Sequence, residues 1–343
     1  MNLKSLARAL ALVGLTTAMV AAHAEKTTLN VYTALETDQL KAYQEGFNKA
    51  YPDIELKWTR DSTGISTAKL LAEKAKPVAD VIMGVAATSM VVFDREGRLQ
   101  PYAPSNLKAI TPKYRAANNP PSWVGMDVWG AAICYNVAEM QKQGLPRIET
   151  WQDLLRPEFK GKIVMPNPAS SGTGFFDVTA WLQMFGEKGG WEYMDKLHQN
   201  IAVYTHSGSK PCKMAGAGEF PVGIAFEYRA NATRNQGAPI DIVYPKEGLG
   251  WDVEAIALVK GTPKLEAAKK LADWASTKEA MELYAKNFAI VAMPGVTTRL
   301  KHVPTDYEQR LVKNDFNWLG KHRDAILNQW QERYNSKSEP KGK

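Results

Sequence analysis

The stretch Pro168-Ala169-Ser170-Ser171-Gly172-Thr173-Gly174-Phe175 decides how this chain reads. Before it, Lys162-Ile163-Val164-Met165 is an apolar run of strand type; after it, the aromatic-rich run from Phe175 to Phe185 has the character of a helix. Small hydroxyl residues and glycines at a strand-to-helix junction leave backbone N–H groups without partners. Those donors, with the positive end of the helix dipole, make a place for an anion. An ordinary N-cap needs one hydroxyl, whereas this junction offers Ser170, Ser171 and Thr173 around a glycine. No catalytic base or metal-ligand cluster sits beside it, which points to holding an oxyanion rather than transforming one.

Upstream, the chain alternates strand and helix. Leu29–Ala34 reads as a strand, followed by Glu36-Thr37-Asp38 and a helix with Leu40, Tyr43, Phe47 and Ala50 on one face. Ile54–Trp58 alternates as a second strand and leads into Arg60-Asp-Ser-Thr-Gly64; Val78–Met83 is a third, opening into Gly84–Ser89. This is an α/β lobe with a mainly parallel sheet, whose ligands bind beyond the carboxyl ends of the strands. Ser62-Thr63-Gly64 is a second hydroxyl–glycine turn, placed to close the other side of the same anion. The apolar runs 129–135 and 253–259 read as strands crossing between lobes. That organises the chain as a first lobe of 25–135 plus 251–343 and a second lobe of 136–250, with a cleft that closes about a hinge. The C-terminal part reads as helices over Leu265–Ser276, Lys278–Lys286 and Tyr307–Tyr334.

Composition bounds the rest. Lys4 and Arg8, the apolar run Ala9–Ala22 and the small-x-small Ala22-His23-Ala24 form a secretory signal peptide over 1–24. No cysteine suited to lipidation follows the apolar run, which argues against an N-terminal anchor, and export to the periplasm is expected. The formal charge of +7, or +5 without Lys4 and Arg8, suits an anion-capturing protein or simple solubility. No Lys/Arg stripe with interleaved aromatics occurs, so nucleic acid is not an expected partner. Cys134 and Cys212 are either one disulfide or, since Cys134 sits in an apolar run, buried thiols.

Enzyme motifs are scarce. There is no H-E-x-x-H, no G-x-S-x-G and no phosphate-binding loop of the GK[ST] kind, and His198, His206, His302 and His322 are not at metal spacing. Ser207-Gly-Ser-Lys210 matches S-x-x-K, with neither S-D-N nor K-T-G after it. Glu227-Tyr228 follows the apolar strand Val222–Phe226, placing a carboxylate and a phenol at a strand exit. A carboxylate buried there pairs with a cationic ligand group; Tyr32, Tyr204 and Trp251 are aromatics near strand ends that offer faces to a cation.

These features together resemble the periplasmic substrate-binding proteins of ABC importers, in the group of ferric-ion, thiamine and phosphonate binders. The residues that carry the resemblance are Val31-Tyr-Thr-Ala34, Phe47-Asn-Lys-Ala-Tyr-Pro52, Ala79-Asp-Val-Ile-Met83, Tyr135-Asn136, Thr150-Trp-Gln-Asp-Leu154, Phe159-Lys-Gly-Lys-Ile163 and Ala169-Ser-Ser-Gly-Thr-Gly174. The resemblance implies an α/β fold of type II: two lobes joined by crossing strands, a ligand clamped between them, no catalysis and no cofactor or metal. It also implies an inner-membrane ABC permease as partner and a monomeric receptor. Where ferric binders carry adjacent tyrosines, this chain has Glu227-Tyr228, a single phenol.

The sequence most resembles 2-aminoethylphosphonate-binding proteins. On that reading Ser62, Thr63, Ser171, Gly172 and Thr173 hold the phosphonate. Glu227 pairs with the amine beside Tyr228 and Tyr32, and Glu36 and Asp252 stand in reserve. The alternatives are a ferric or other oxyanion receptor and, more remotely, an exported phosphonate- or phosphate-ester hydrolase.

Overall fold

The computed structural model describes residues 26–73 and 76–340, so the expected signal peptide lies outside the described residues. β1 (Thr27–Thr33), β2 (Ile54–Arg60) and β3 (Val81–Ala86) run parallel. Helices α1 (Thr37–Ala50) and α2 (Thr63–Ala72) make the crossovers, and α3 (Ala87–Arg95) follows β3. β4 (Leu99–Gln100) is a short edge strand, and β5 (Val124–Asn136) is the long one. The second half of the fold comprises α4 (Val137–Lys142), β6 (Ile163–Pro166), α5 (Gly172–Asn200), β7 (Ile201–Thr205) and α6 (Lys210–Gly216). It continues with β8 (Val222–Phe226), α7 (Glu227–Asn235) and β9 (Ile240–Val243). The chain returns through β10 (Trp251–Val259), α8 (Leu265–Ala275), α9 (Lys278–Tyr284), β11 (Ile290–Val291), α10 (Tyr307–Arg310) and α11 (Phe316–Tyr334).

The strand order is β2-β1-β3-β10-β5-β8-β6-β7, with β4, β9 and β11 pairing at its sides. β5 explains why this is one path and yet two lobes. At about 3.3 Å per residue a strand of this length spans some 40 Å, and almost every residue of it is buried. Its first half, through Gly130, pairs antiparallel with β10; its second half, from Ala131, pairs antiparallel with β8 and β9. The first sheet is therefore mixed rather than mainly parallel, because the returning β10 inserts antiparallel between β3 and β5.

Two cores follow from the two sheets. Leu29, Val31, Phe47, Val81, Met83, Leu258 and Leu271 belong to the first, and Ile133, Trp151, Phe159, Val178, Trp181, Ile224 and Trp330 to the second. Each such side chain contributes about 1.5–3 kcal/mol on leaving water.

Local sequence sets the breaks. Gly186, at φ 72°, divides α5, a backbone state a side chain would strain. The expected helix Tyr307–Tyr334 is two helices. Leu311 bridges to Leu249, Val312 N–H donates to Leu249 O at 3.0 Å, and Asp315 accepts from Trp318 N–H to begin α11 afresh. α11 packs on both cores: Gly320 lies against Val91 of α3, while Ile326, Leu327, Trp330 and Tyr334 enter the second core. Cys134 and Cys212 form a disulfide, Cα–Cα 5.4 Å, that ties the first turn of α6 to β5.

Candidate functional site

The two hydroxyl–glycine turns, more than a hundred residues apart in sequence, meet where the sheets join. A cavity of about 40 Å³ lies between them. From the first half come Glu36, Arg60, Ser62, Thr63 and Glu254; from the second come Ser171, Gly172, Thr173 and Gly208, with Trp129 and Phe226 as aromatic walls. Ser62 is the N-cap residue of α2 and Ser171 that of α5. The positive ends of two helix dipoles therefore converge on one small volume.

Close backbone approach requires glycine here. Gly64 N–H donates to Ser170 O at 2.9 Å, and a Cβ on Gly64 would run into the Ala169 carbonyl. A Cβ on Gly208 would stand 2.6 Å from Thr173 Oγ1 and 2.9 Å from Ser171 Oγ. The Gly64 contact crosses from one half of the fold to the other, while that of Gly208 packs its loop on the hydroxyl junction within the second half.

Charge ties the two halves together further. Arg229 Nη2 on α7 donates to Glu36 Oε2 at 2.6 Å and to Asp38 at 3.2 Å. Arg60 Nη2 holds the other oxygen of Glu36 at 3.0 Å, and its Nε donates to Leu35 O. The Arg229 and Glu36 side chains are 4% and 10% exposed, so this pair works in a low dielectric where loss of one partner is costly.

Glu254 is the second carboxyl at the cavity. Across the β5–β10 ladder it stands opposite Asp127, and the two buried carboxyls pair with each other. Burial pushes both acids well above the usual carboxylate range; the charges of Glu254 and Glu227 add to it at Asp127, while at Glu254 the hydrogen bond with Asp127 opposes the rise and Glu227 and Glu36 add to it. Two such groups in contact share a proton.

The expected site residues divide into two sets. Glu36, Ser62, Thr63, Ser171, Gly172 and Thr173 line the cavity. Tyr32, Glu227, Tyr228 and Asp252 do not. Tyr32 donates its hydroxyl to Glu73 at 2.8 Å. Glu227, expected as the amine's partner, is fully buried and accepts from Gly130 N–H at 2.8 Å; burial pushes its carboxyl up to about 8.

Tyr228 packs against Phe288 and carries the Arg229 guanidinium over its ring. Asp252 accepts from Thr88 Oγ1 at 2.6 Å and Val253 N–H at 2.7 Å, and burial raises it to about 7. Sequence reasoning missed Arg60, Arg229 and Glu254. The one legible signal was a lone acid inside the apolar run Val253–Val259; the pairing of Arg229 with Glu36 spans 193 positions.

No helix among the described residues is long and apolar enough to cross a membrane. The family described as bacterial extracellular solute-binding protein matches residues 76–322. A probable ABC transporter periplasmic-binding protein of Sinorhizobium fredii is 25% identical over 245 residues, 69% of this chain and 66% of that protein. A putative 2-aminoethylphosphonate-binding periplasmic protein of Salmonella paratyphi A is 25% identical over 242 residues, 69% of this chain and 68% of that one. Among solved structures, the periplasmic binding protein AfuA from Actinobacillus pleuropneumoniae, with exogenous fructose-6-phosphate bound, is 28% identical. Its TM-score is 0.84, with 90% of this chain and 99% of that chain covered.

Proposed function

This chain belongs to the bacterial extracellular solute-binding proteins, and we propose that its cavity captures a small phosphonate, 2-aminoethylphosphonate, for an inner-membrane ABC permease. Proteins of this family deliver small-molecule ligands to such permeases. The observation that carries the reading is the meeting of two helix starts with serine at the N-cap position, one from each half of the fold, around a single cavity with Arg60 in its wall. Phosphonate oxygens there would accept from the hydroxyls of Ser62, Thr63, Ser171 and Thr173. Residues 25–135 with 251–343, and 136–250, would form the lobes, with α11 spanning both.

The amine role passes from Glu227 to Glu254, a buried carboxyl of β10 that lines the cavity where Glu227 does not. An ammonium group beside the Asp127–Glu254 pair would donate to it and favour its ionised form. The iron reading lacks support of the same kind, because among the described residues no tyrosine lines the cavity. A phosphorylated sugar is the second reading; the likeness to AfuA, solved with fructose-6-phosphate, favours it, and a sugar hydroxyl would also donate to Glu254.

Calorimetric titration with 2-aminoethylphosphonate, inorganic phosphate and fructose 6-phosphate tests this. Glu254→Gln is expected to weaken the aminophosphonate by about tenfold or more while leaving phosphate nearly unchanged. Equal losses for both would remove Glu254 from the amine site. Tight binding of fructose 6-phosphate alone would favour the second reading.

A further inference from the structure

Ser207-Gly208-Ser209-Lys210, the S-x-x-K run, is not built as a nucleophile. Lys210 Nζ pairs with Glu339 Oε2, and the Ser207 and Ser209 hydroxyls bond each other at 2.9 Å. What holds this loop is the C-terminal tail. Ser338 bridges in parallel to Tyr204 at the edge of β7, and Glu339 N–H donates to Tyr204 O at 2.9 Å. Glu339 Oε1 accepts from His206 N–H. The carboxylate of Glu339 thus spans both ends of the loop.

Two routes lead from the tail to the cavity. In the first, the His206 carbonyl accepts from Ser170 Oγ at 3.0 Å, and Gly208 lies against Ser171 and Thr173. In the second, Asn167 Nδ2 donates to Ser338 Oγ at 2.9 Å, Asn167 Oδ1 accepts from Ala169 N–H at 2.8 Å, and Asn167 O accepts from Ser171 N–H at 2.9 Å. Asn167 and Ser170 are both buried. The tail therefore fixes the loop and the hydroxyl junction together, and these bonds all go to the second half of the fold. The Cys134–Cys212 disulfide anchors the same segment just after Lys210.

We infer that the tail segment Ser338-Glu339-Pro340 is a clasp that positions the anion-binding hydroxyls, with Glu339 as its positioning residue. The inference rests on the reading of the cavity as an anion site. Without the clasp, residues 206–210 gain conformations and the junction must be ordered when the ligand binds. Affinity then falls although every group that touches the ligand is still in place.

The test compares the full mature chain with Glu339→Ala, Glu339→Gln and a chain ending at Lys337. Each is titrated with 2-aminoethylphosphonate, inorganic phosphate and fructose 6-phosphate, and amide hydrogen exchange is followed without ligand. Glu339→Ala is expected to weaken whichever probe binds by about tenfold, and Glu339→Gln by less than about threefold, since its amide oxygen still accepts from His206 N–H. Exchange should rise at 167–174 and 206–210 in Glu339→Ala and the shortened chain, with the first sheet unchanged. Unaltered affinity and exchange in both would overturn the clasp, as would a uniform rise throughout the second core. If the unaltered protein binds none of the probes, the ligand reading fails, and the exchange pattern alone decides the clasp.

Discussion

Replacing Glu227 with Gln removes a charge that the fold buries completely, and the consequence for stability can be worked from its surroundings. Glu227 opens α7, is 0% exposed, and accepts a hydrogen bond from Gly130 N–H at 2.8 Å. Burial raises its carboxyl to about 8 against an ordinary 4.5; the amides of Gly130, Glu227 and Tyr228 and the Tyr307 hydroxyl oppose that rise without cancelling it. The folded state keeps a proton that the unfolded chain releases, so stability falls as pH rises from 4.5 to about 8. At about 1.36 kcal/mol per unit, the span corresponds to roughly 4–5 kcal/mol.

Glu227→Gln is neutral throughout. It should match the parent near pH 4.5 and exceed it by several kcal/mol near pH 8.5. Urea unfolding at a series of pH values between these limits measures it. Asp127, Asp177, Asp252 and Glu254 are raised by burial too, and add slopes of the same sign to both proteins. Asp127 and Glu254 also feel Glu227, so part of the difference is theirs. Parallel pH profiles for the two proteins would refute the reasoning. So would a loss of 2-aminoethylphosphonate affinity on the scale expected of Glu254→Gln, because Glu227 does not line the cavity.

Other perturbations address closure and the staple. Arg229→Ala takes from Glu36 its buried cross-cleft partner and leaves it Arg60 and the more distant, half-exposed Lys213; about 3 kcal/mol against the closed form, or roughly hundredfold in affinity, is expected by titration. Gly64→Ala drives a methyl group into the Ala169 carbonyl. Binding should be lost and small-angle scattering should report an opened protein, while the thermal midpoint stays within a few degrees. Reducing Cys134–Cys212, separated by 78 residues, should cost about 4–5 kcal/mol in denaturant unfolding by the chain-entropy argument. An unfolding curve indifferent to reductant would contradict it.

What the sequence made legible was what local chemistry encodes. The alternation of short strands and helices, the hydroxyl–glycine junctions at Ser62–Gly64 and Ser170–Gly174, and the crossing run 129–135 all depend on neighbours within a few positions. Each is present where expected. The carboxylates were harder, because a strand exit gives a side chain's address and not its direction. Glu227 opens the first turn of α7 but turns toward Gly130 on β5, whereas Glu254 lies inside a strand whose apolar neighbours disguised it as core.

The decisive information for both is the pairing of β5 with β10 on one side and β8 on the other, long-range contacts that no local pattern carries. The same holds for the tail. Lys337-Ser338-Glu339-Pro340 reads as a charged, solvated end, yet its Glu339 meets Lys210 from 129 positions away. A short polar segment acquires a role only when the fold presents it with an open strand edge and a loop in need of a partner, and β7 with His206–Lys210 supplies both.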